Sequence, residues 1–192
     1  MEATGSYWIS LATHLVHAGF VVSVINPAQA HHFAKALLKR AKTDAIDAQT
    51  LAQLAMVLRP EPWTLPPPIY HAVQQRLAQR DDLLNLRQQV DNQLHALRQH
   101  PEVIPEVRAR MERLLATFEG QLTEVEAEIM AALRQDSAWA AAAQRLQSIT
   151  GVGWVTAAWT LVATLNFSTC DTVEALTAYA GLAPMPRQSG TS

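Results

Sequence analysis

Phe20-Val21-Val22-Ser23-Val24-Ile25 is the stretch on which the fold class turns. It is a short, β-branched run bounded by Gly19 and Asn26-Pro27, so it reads as a buried strand. Upstream, Tyr7 to His17 places Trp8, Leu11, Leu15 and Val16 at helical spacing, and Gly19 is a good helix stop. Downstream, Pro27 can open a helix running to about Leu38. Lys39 to Thr43 is a polar connection, and Asp44 to Leu58 is helical again, with Ile46, Leu51, Leu54, Ala55 and Leu58 as its apolar face. Helix, strand, helix, helix is an α/β order, which is the expectation for residues 1–58. One strand cannot make a sheet, so this part reads as incomplete by itself.

Residues 59–68 hold five of the ten prolines, and a helix cannot cross them; they read as a proline-rich linker. Residues 69–135 follow as an antiparallel helical hairpin or coiled coil. Leu83, Leu86, Val90, Leu94 and Leu97 recur three or four apart, and Leu115, Phe118, Leu122, Val125, Ile129 and Leu133 repeat the pattern. Pro101 and Pro105 mark the turn between them. The plain reading is a packing arm with a solvated Arg/Gln/Glu face. The sharper one is dimerisation or RNA binding through Arg76, Arg80, Arg87 and Arg98.

Residues 139–192 are rich in Ala and Trp and read as a mostly helical last domain. Leu146 to Ala158 carries Gly151-Val152-Gly153 and reads as helix, tight glycine turn, helix, similar to the turn of helix-hairpin-helix modules. In such turns the glycines expose backbone N–H groups and the next helix adds positive potential for a phosphate. A plain tight turn explains the same residues. Thr172 to Tyr179 is a further short helix, leading into a loop that contains Ser189.

Bulk composition narrows the function classes. Apolar residues make up 49 % and charged residues 17 %, a globular balance. The net charge of −2 gives no global basic signal, so nucleic-acid binding must come from local patches. Cys170 is the one cysteine, which excludes an intrachain disulfide and a thiolate metal cluster and fits a reducing, cytoplasmic setting. No apolar run reaches the length of a membrane span, and the start lacks the pattern of a signal peptide, so no membrane partner is expected.

Three acids are the candidate chemistry. Asp44 and Asp47 lie at i and i+3 on one helical face, and Glu2 sits far upstream. Converging carboxylates would offer the oxygen ligands that a hard divalent cation requires. Acids in a first helical turn also complement the helix dipole, with Asp44 or Thr43 as N-cap, and that reading needs no metal. Lys35, Lys39, Arg40 and Lys42, with His31 and His32, form the best basic patch, either a solvated face or a phosphate contact.

Glu2-Ala3-Thr4-Gly5-x-Tyr7, Val24-Ile25-Asn26-Pro27, Phe33-Ala34 and Lys42-Thr43-Asp44-x-x-Asp47-Ala48-x-x-Leu51-Ala52 together resemble the amino-terminal domain of DEDD-type insertion-sequence transposases, the bridge-RNA-guided serine recombinases of bacterial mobile elements. Ser148-Ile149-x-Gly151-Val152-Gly153-x-x-Thr156-Ala157, Tyr179 to Pro184 and Gln188-Ser189-Gly190 resemble the second domain of the same family, in the family's order.

The resemblance implies a partial RuvC-like, ribonuclease-H-like domain whose acids bind Mg²⁺, with Glu2, Asp44 and Asp47 as this chain's share. It implies Ser189 as the nucleophile that joins DNA through a phosphoserine, with Ser192 as a weaker alternative. It further implies DNA and a guide RNA as partners, a homodimer or homotetramer through the hairpin, and a bacterial, nucleoid-associated location. The family's first aspartate precedes its glutamate and its second domain continues beyond the serine. The chain therefore reads as truncated at both ends, with the expectation that it is inactive by itself. Two other readings stand beside the recombinase. One is a non-enzymatic nucleic-acid-binding remnant using the glycine turn and the basic patch. The other is a helical self-assembly module, lost when the seam at Val90 and Leu94 is broken, as by Leu94→Asp.

Overall fold

The computed structural model describes residues 1–38, 43–170 and 172–184. They form two compact units, Met1–Leu65 and Pro66–Ser192.

The first unit holds α1 (Tyr7–His17), α2 (Pro27–Ala36) and α3 (Asp44–Leu58). Gly19 closes α1 in the left-handed conformation, at φ +86°. Its amide donates to the Val16 carbonyl and the Phe20 amide to the Leu15 carbonyl, each at 3.0 Å, which satisfies the orphan carbonyls of the last turn. Asn26 caps α2 by accepting from the Ala28 amide at 2.8 Å, and Pro27 occupies the first helical position. Thr43 caps α3 through the Ile46 amide at 3.3 Å. α2 packs against α3, and Ala12, Ala30, Thr50 and Leu54 are among the buried residues.

The α/β expectation for this unit fails. Among the described residues there is no strand and no sheet, only one parallel bridge between Glu2 and Ile25, so a partial RuvC-like, ribonuclease-H-like domain is not formed. Residues 20–25 run extended, but a strand also needs a ladder on its flanks. On one side Met1 to Ala3 supplies three bonds, Ile25 amide to Met1 carbonyl and Ala3 amide to Ile25 carbonyl, both 2.9 Å, and the Met1 amino group to the Ser23 carbonyl at 2.7 Å. On the other side lie residues 60–63, where Pro60 and Pro62 have no N–H to give. What remains there is the Trp63 amide to the Val22 carbonyl at 2.7 Å and the Ser23 hydroxyl to the Pro60 carbonyl at 2.9 Å. Burial follows the weak pairing: Val22 and Ile25 are buried, whereas Val21 is 81 % exposed.

Among its described residues the second unit has helices as its regular elements: α4 (Pro68–Leu97), α5 (Pro105–Gln135), α6 (Ser137–Gln147), α7 (Trp154–Ala163) and α8 (Val173–Tyr179). α4 and α5 pair along their length as a hairpin. Ion pairs Arg76–Glu128, Arg80–Glu126, Arg87–Glu119 and Arg98–Glu112 bridge them. The partner's number falls along α5 as the arginine's rises along α4, which is the register of an antiparallel pair. All four arginines raised as RNA or dimer contacts thus face acids of their own hairpin.

The core sits at one end of the hairpin. Val73, Leu77 and Leu83 of α4 and Leu122, Val125, Ile129 and Leu133 of α5 meet Trp139 of α6 and Leu161 of α7. Complete burial of Leu77 or Ile129 contributes roughly 1.5–3 kcal/mol over exposure. Between residues 84 and 121, Leu94 is the one buried residue. The heptad-like seam is therefore not continuously buried: Leu86 is 47 % exposed, because two helices without a third layer cover only a narrow stripe. Asp136 separates α5 from α6, capping α6 by accepting from the Ala138 and Trp139 amides at 2.9 and 3.1 Å. Among the described residues no helix is long and apolar enough to cross a membrane.

Candidate functional site

Glu2 occupies the bridge position opposite Ile25, and its Oε1 accepts from the Thr4 hydroxyl at 2.8 Å. Asp44 and Asp47 stand exposed in the first turn of α3, where their charge complements the helix N-terminus. The structure thus brings the two aspartates onto one turn. Among the described residues, however, no three His, Cys, Asp or Glu side chains are grouped so as to hold a metal ion. Glu2, Asp44 and Asp47 do not make a three-ligand centre as they stand.

The basic patch is seen in part. Lys35 is exposed in the last turn of α2, and the His31 and His32 rings lie 5.9 Å apart on the same helix. Lys39, Arg40 and Lys42 lie outside the described residues, as do Ser189 and Ser192.

The glycine turn is described in full. α6 ends at Gln147, the Val152 amide closes a turn onto the Ile149 carbonyl at 3.0 Å, and α7 starts at Trp154. Gly151 adopts φ +90°, which only glycine takes without strain. Gly153 differs. It is the N-cap of α7 in ordinary extended geometry, and a Cβ there would meet nothing within 4 Å. The fold does not demand glycine at 153. Its effect is to leave α7 without a side-chain cap and its first-turn N–H groups open to an approaching acceptor.

Beneath this turn lies a largely covered arginine of α4. The Arg80 guanidinium sits 5.6 Å from the Trp154 ring centroid, while its Nε donates to Glu126 at 2.7 Å. Its side chain is only 17 % exposed. Helical periodicity could place Arg80 on a face of α4, but it carries no signal that α7 would lie over that face.

Comparison with known proteins gives the geometry its context. Residues 1–100 match the DEDD profile of the IS110 type, described as "Transposase", and residues 143–192 match the profile described as "Transposase IS116/IS110/IS902 family". The pilin gene-inverting protein of Moraxella bovis is 30 % identical over 193 aligned residues, covering 100 % of this chain and 58 % of that protein. The protein of the same name from Moraxella lacunata is 29 % identical over the same span and share. The chain thus spans a little over half the length of these curated relatives. With one profile matching more than half of the chain and a second matching its last fifty residues, the chain belongs to the IS110-type transposase family.

Proposed function

We propose that this chain is the acid-bearing and turn-bearing portion of a DNA recombinase that moves or inverts a DNA segment. The observation that carries the reading is the order of the two family matches, residues 1–100 and then 143–192, with the candidate acids in the first and the glycine turn and Ser189 in the second. Inversion as the outcome is suggested by the names of the Moraxella relatives.

In this reading Ser189 is the nucleophile. Its Oγ gives up its proton to solvent and attacks a backbone phosphorus, a phosphoserine ester forms, the bond to one deoxyribose oxygen breaks, and the released sugar oxygen takes a proton back from solvent. The open amides at Gly151, Gly153 and the start of α7 hold a neighbouring phosphate, in the manner of a helix-hairpin-helix module. Lys35, Lys39, Arg40 and Lys42 add backbone contacts. DEDD transposases typically use a divalent metal. Glu2, Asp44 and Asp47 are the residues through which a Mg²⁺ requirement would enter, once a rearrangement or a further acid gathers them. A guide RNA belongs to the same reading through the resemblance.

Self-association through the hairpin is the accompanying proposal, supported by Leu86 and Leu114, which are 47 % and 43 % exposed. Leu94 is 1 % exposed inside the hairpin, so Leu94→Asp would break the monomer's own packing. Leu86→Glu with Leu114→Glu is the sounder interface test.

The first experiment is anisotropy of the full chain on duplex DNA across a salt series. Binding that weakens steeply with salt, and weakens further in Gly153→Glu, supports the reading. No binding at low salt, or binding indifferent to Gly153→Glu, overturns the placement of DNA at the turn.

A further inference from the structure

We propose that Arg80 is a positioning residue for DNA: it sets the shape of the Gly151–Gly153 turn by holding Trp154, and Glu126 in turn holds Arg80. The inference rests on the reading of that turn as a phosphate site.

Three observations on three helices converge here. Trp154 is the first residue of α7, joined directly to Gly153, so an anchor on its indole restrains the backbone at the start of the helix. Its ring lies 5.6 Å from the Arg80 guanidinium of α4, within the range of a cation–π contact. Arg80 is fixed from the other side by Glu126 of α5 at 2.7 Å, with Asp81 at a longer 3.5 Å. The glycines supply no side chain to hold the turn, and α7 lacks a side-chain cap, so the turn's geometry depends on what packs against Trp154. A guanidinium is suited to the task, since its plane stacks on the ring while its edge donates to the carboxylate.

The pairing also separates positioning from direct contact. If Arg80 gripped a phosphate itself, removing Glu126 would free the cation and strengthen DNA binding. If Arg80 positions the turn, removing Glu126 loosens Trp154 and weakens binding, although a negative charge has been taken away.

The test uses the full chain with Arg80→Met, Arg80→Lys and Glu126→Ala, read by amide hydrogen exchange and by anisotropy on duplex DNA. In Arg80→Met, exchange at the Val152 and Ala157 amides, which bond to the Ile149 and Gly153 carbonyls, should rise about tenfold relative to the core amides of Leu77 and Ile129, the scale of one lost cation–π contact. Arg80→Lys keeps a cation and should fall between Met and wild type. DNA affinity should drop in Arg80→Met and in Glu126→Ala. Unchanged exchange at the turn, a uniform rise through the whole unit, or tighter binding by Glu126→Ala would each overturn the proposal. If the turn loosens as described but DNA affinity does not move, Arg80 does not position DNA, and the turn's assignment as a phosphate site fails while the Arg80–Trp154 clamp stands.

Discussion

The Trp63 amide donates to the Val22 carbonyl at 2.7 Å, and the Trp63 ring stands edge-on to Trp8 with centroids 5.7 Å apart. A residue of the proline-rich segment therefore ties the extended run 20–25 to α1. Trp63→Ala removes the ring and its edge-to-face pairing. Large-to-small changes of this kind cost about 2–4 kcal/mol where the ring is partly buried. Chemical denaturation should show that loss, and hydrogen exchange should place it in the first unit, at the amides of Ile25 and Trp63.

Gly120 lies inside α5, and a Cβ built on it meets nothing within 4 Å. Glycine there costs helix stability without a compensating contact. Gly120→Ala should stabilise the chain by roughly 0.5–1 kcal/mol, read as a higher denaturant midpoint with an unchanged slope. A lower midpoint would mean that this surface is covered in solution.

Hydrogen bonding from Arg108 holds the Glu112 carboxyl below its ordinary value; desolvation opposes it as the next-largest cause, and the Arg108 charge and then Arg98 add smaller lowering contributions. A folded-state pKa below the unfolded one favours folding while the group is ionised. That contribution is present above the unfolded glutamate range and is lost as pH falls through the folded value. The outer hairpin, where Glu112 joins Arg98 and Arg108, should loosen on acidification. Glu112→Gln should flatten that dependence, measured by exchange rates along 95–115 as a function of pH. The effect should be small and should shrink in salt, because all three side chains are exposed.

Asp44 and Asp47 act first as charges at the start of α3. Asp44→Asn should therefore leave duplex affinity of this chain unchanged within about twofold, with or without Mg²⁺, since a pair of first-turn acids is explained by the helix dipole. A Mg²⁺-dependent change in affinity that disappears in Asp44→Asn would instead show these acids gathering around a cation.

Helices were legible because their signals are local. Asn26-Pro27, Thr43 and Thr172 cap α2, α3 and α8 at those positions, and the leucine spacing of 83–97 marks α4. The run 20–25 misled because β-branched composition reports a preference for extended backbone, whereas a sheet depends on partners. Here the available partners are a short segment at 1–3 and a proline-interrupted one. The site divides along the same line. Gly151 and its positive φ follow from sequence, while the Arg80 contact with Trp154 joins residues seventy-four positions apart and leaves no periodic trace. The candidate acids show the limit of motif reading most plainly, since spacing along a chain says nothing about convergence.

Of the four arginines that bridge the hairpin, Arg76, Arg80 and Arg87 lie on α4 and Arg98 caps its end, and the four glutamates they meet all lie on α5. Segregated in this way, the charges also exclude wrong partners. An α4 helix laid parallel and in register against the α4 of another copy would set guanidinium against guanidinium at each of these levels, and α5 paired with α5 in the same way would set carboxylate against carboxylate. Pairing of α4 with α5 within one chain is thereby favoured over pairing of like helices between copies.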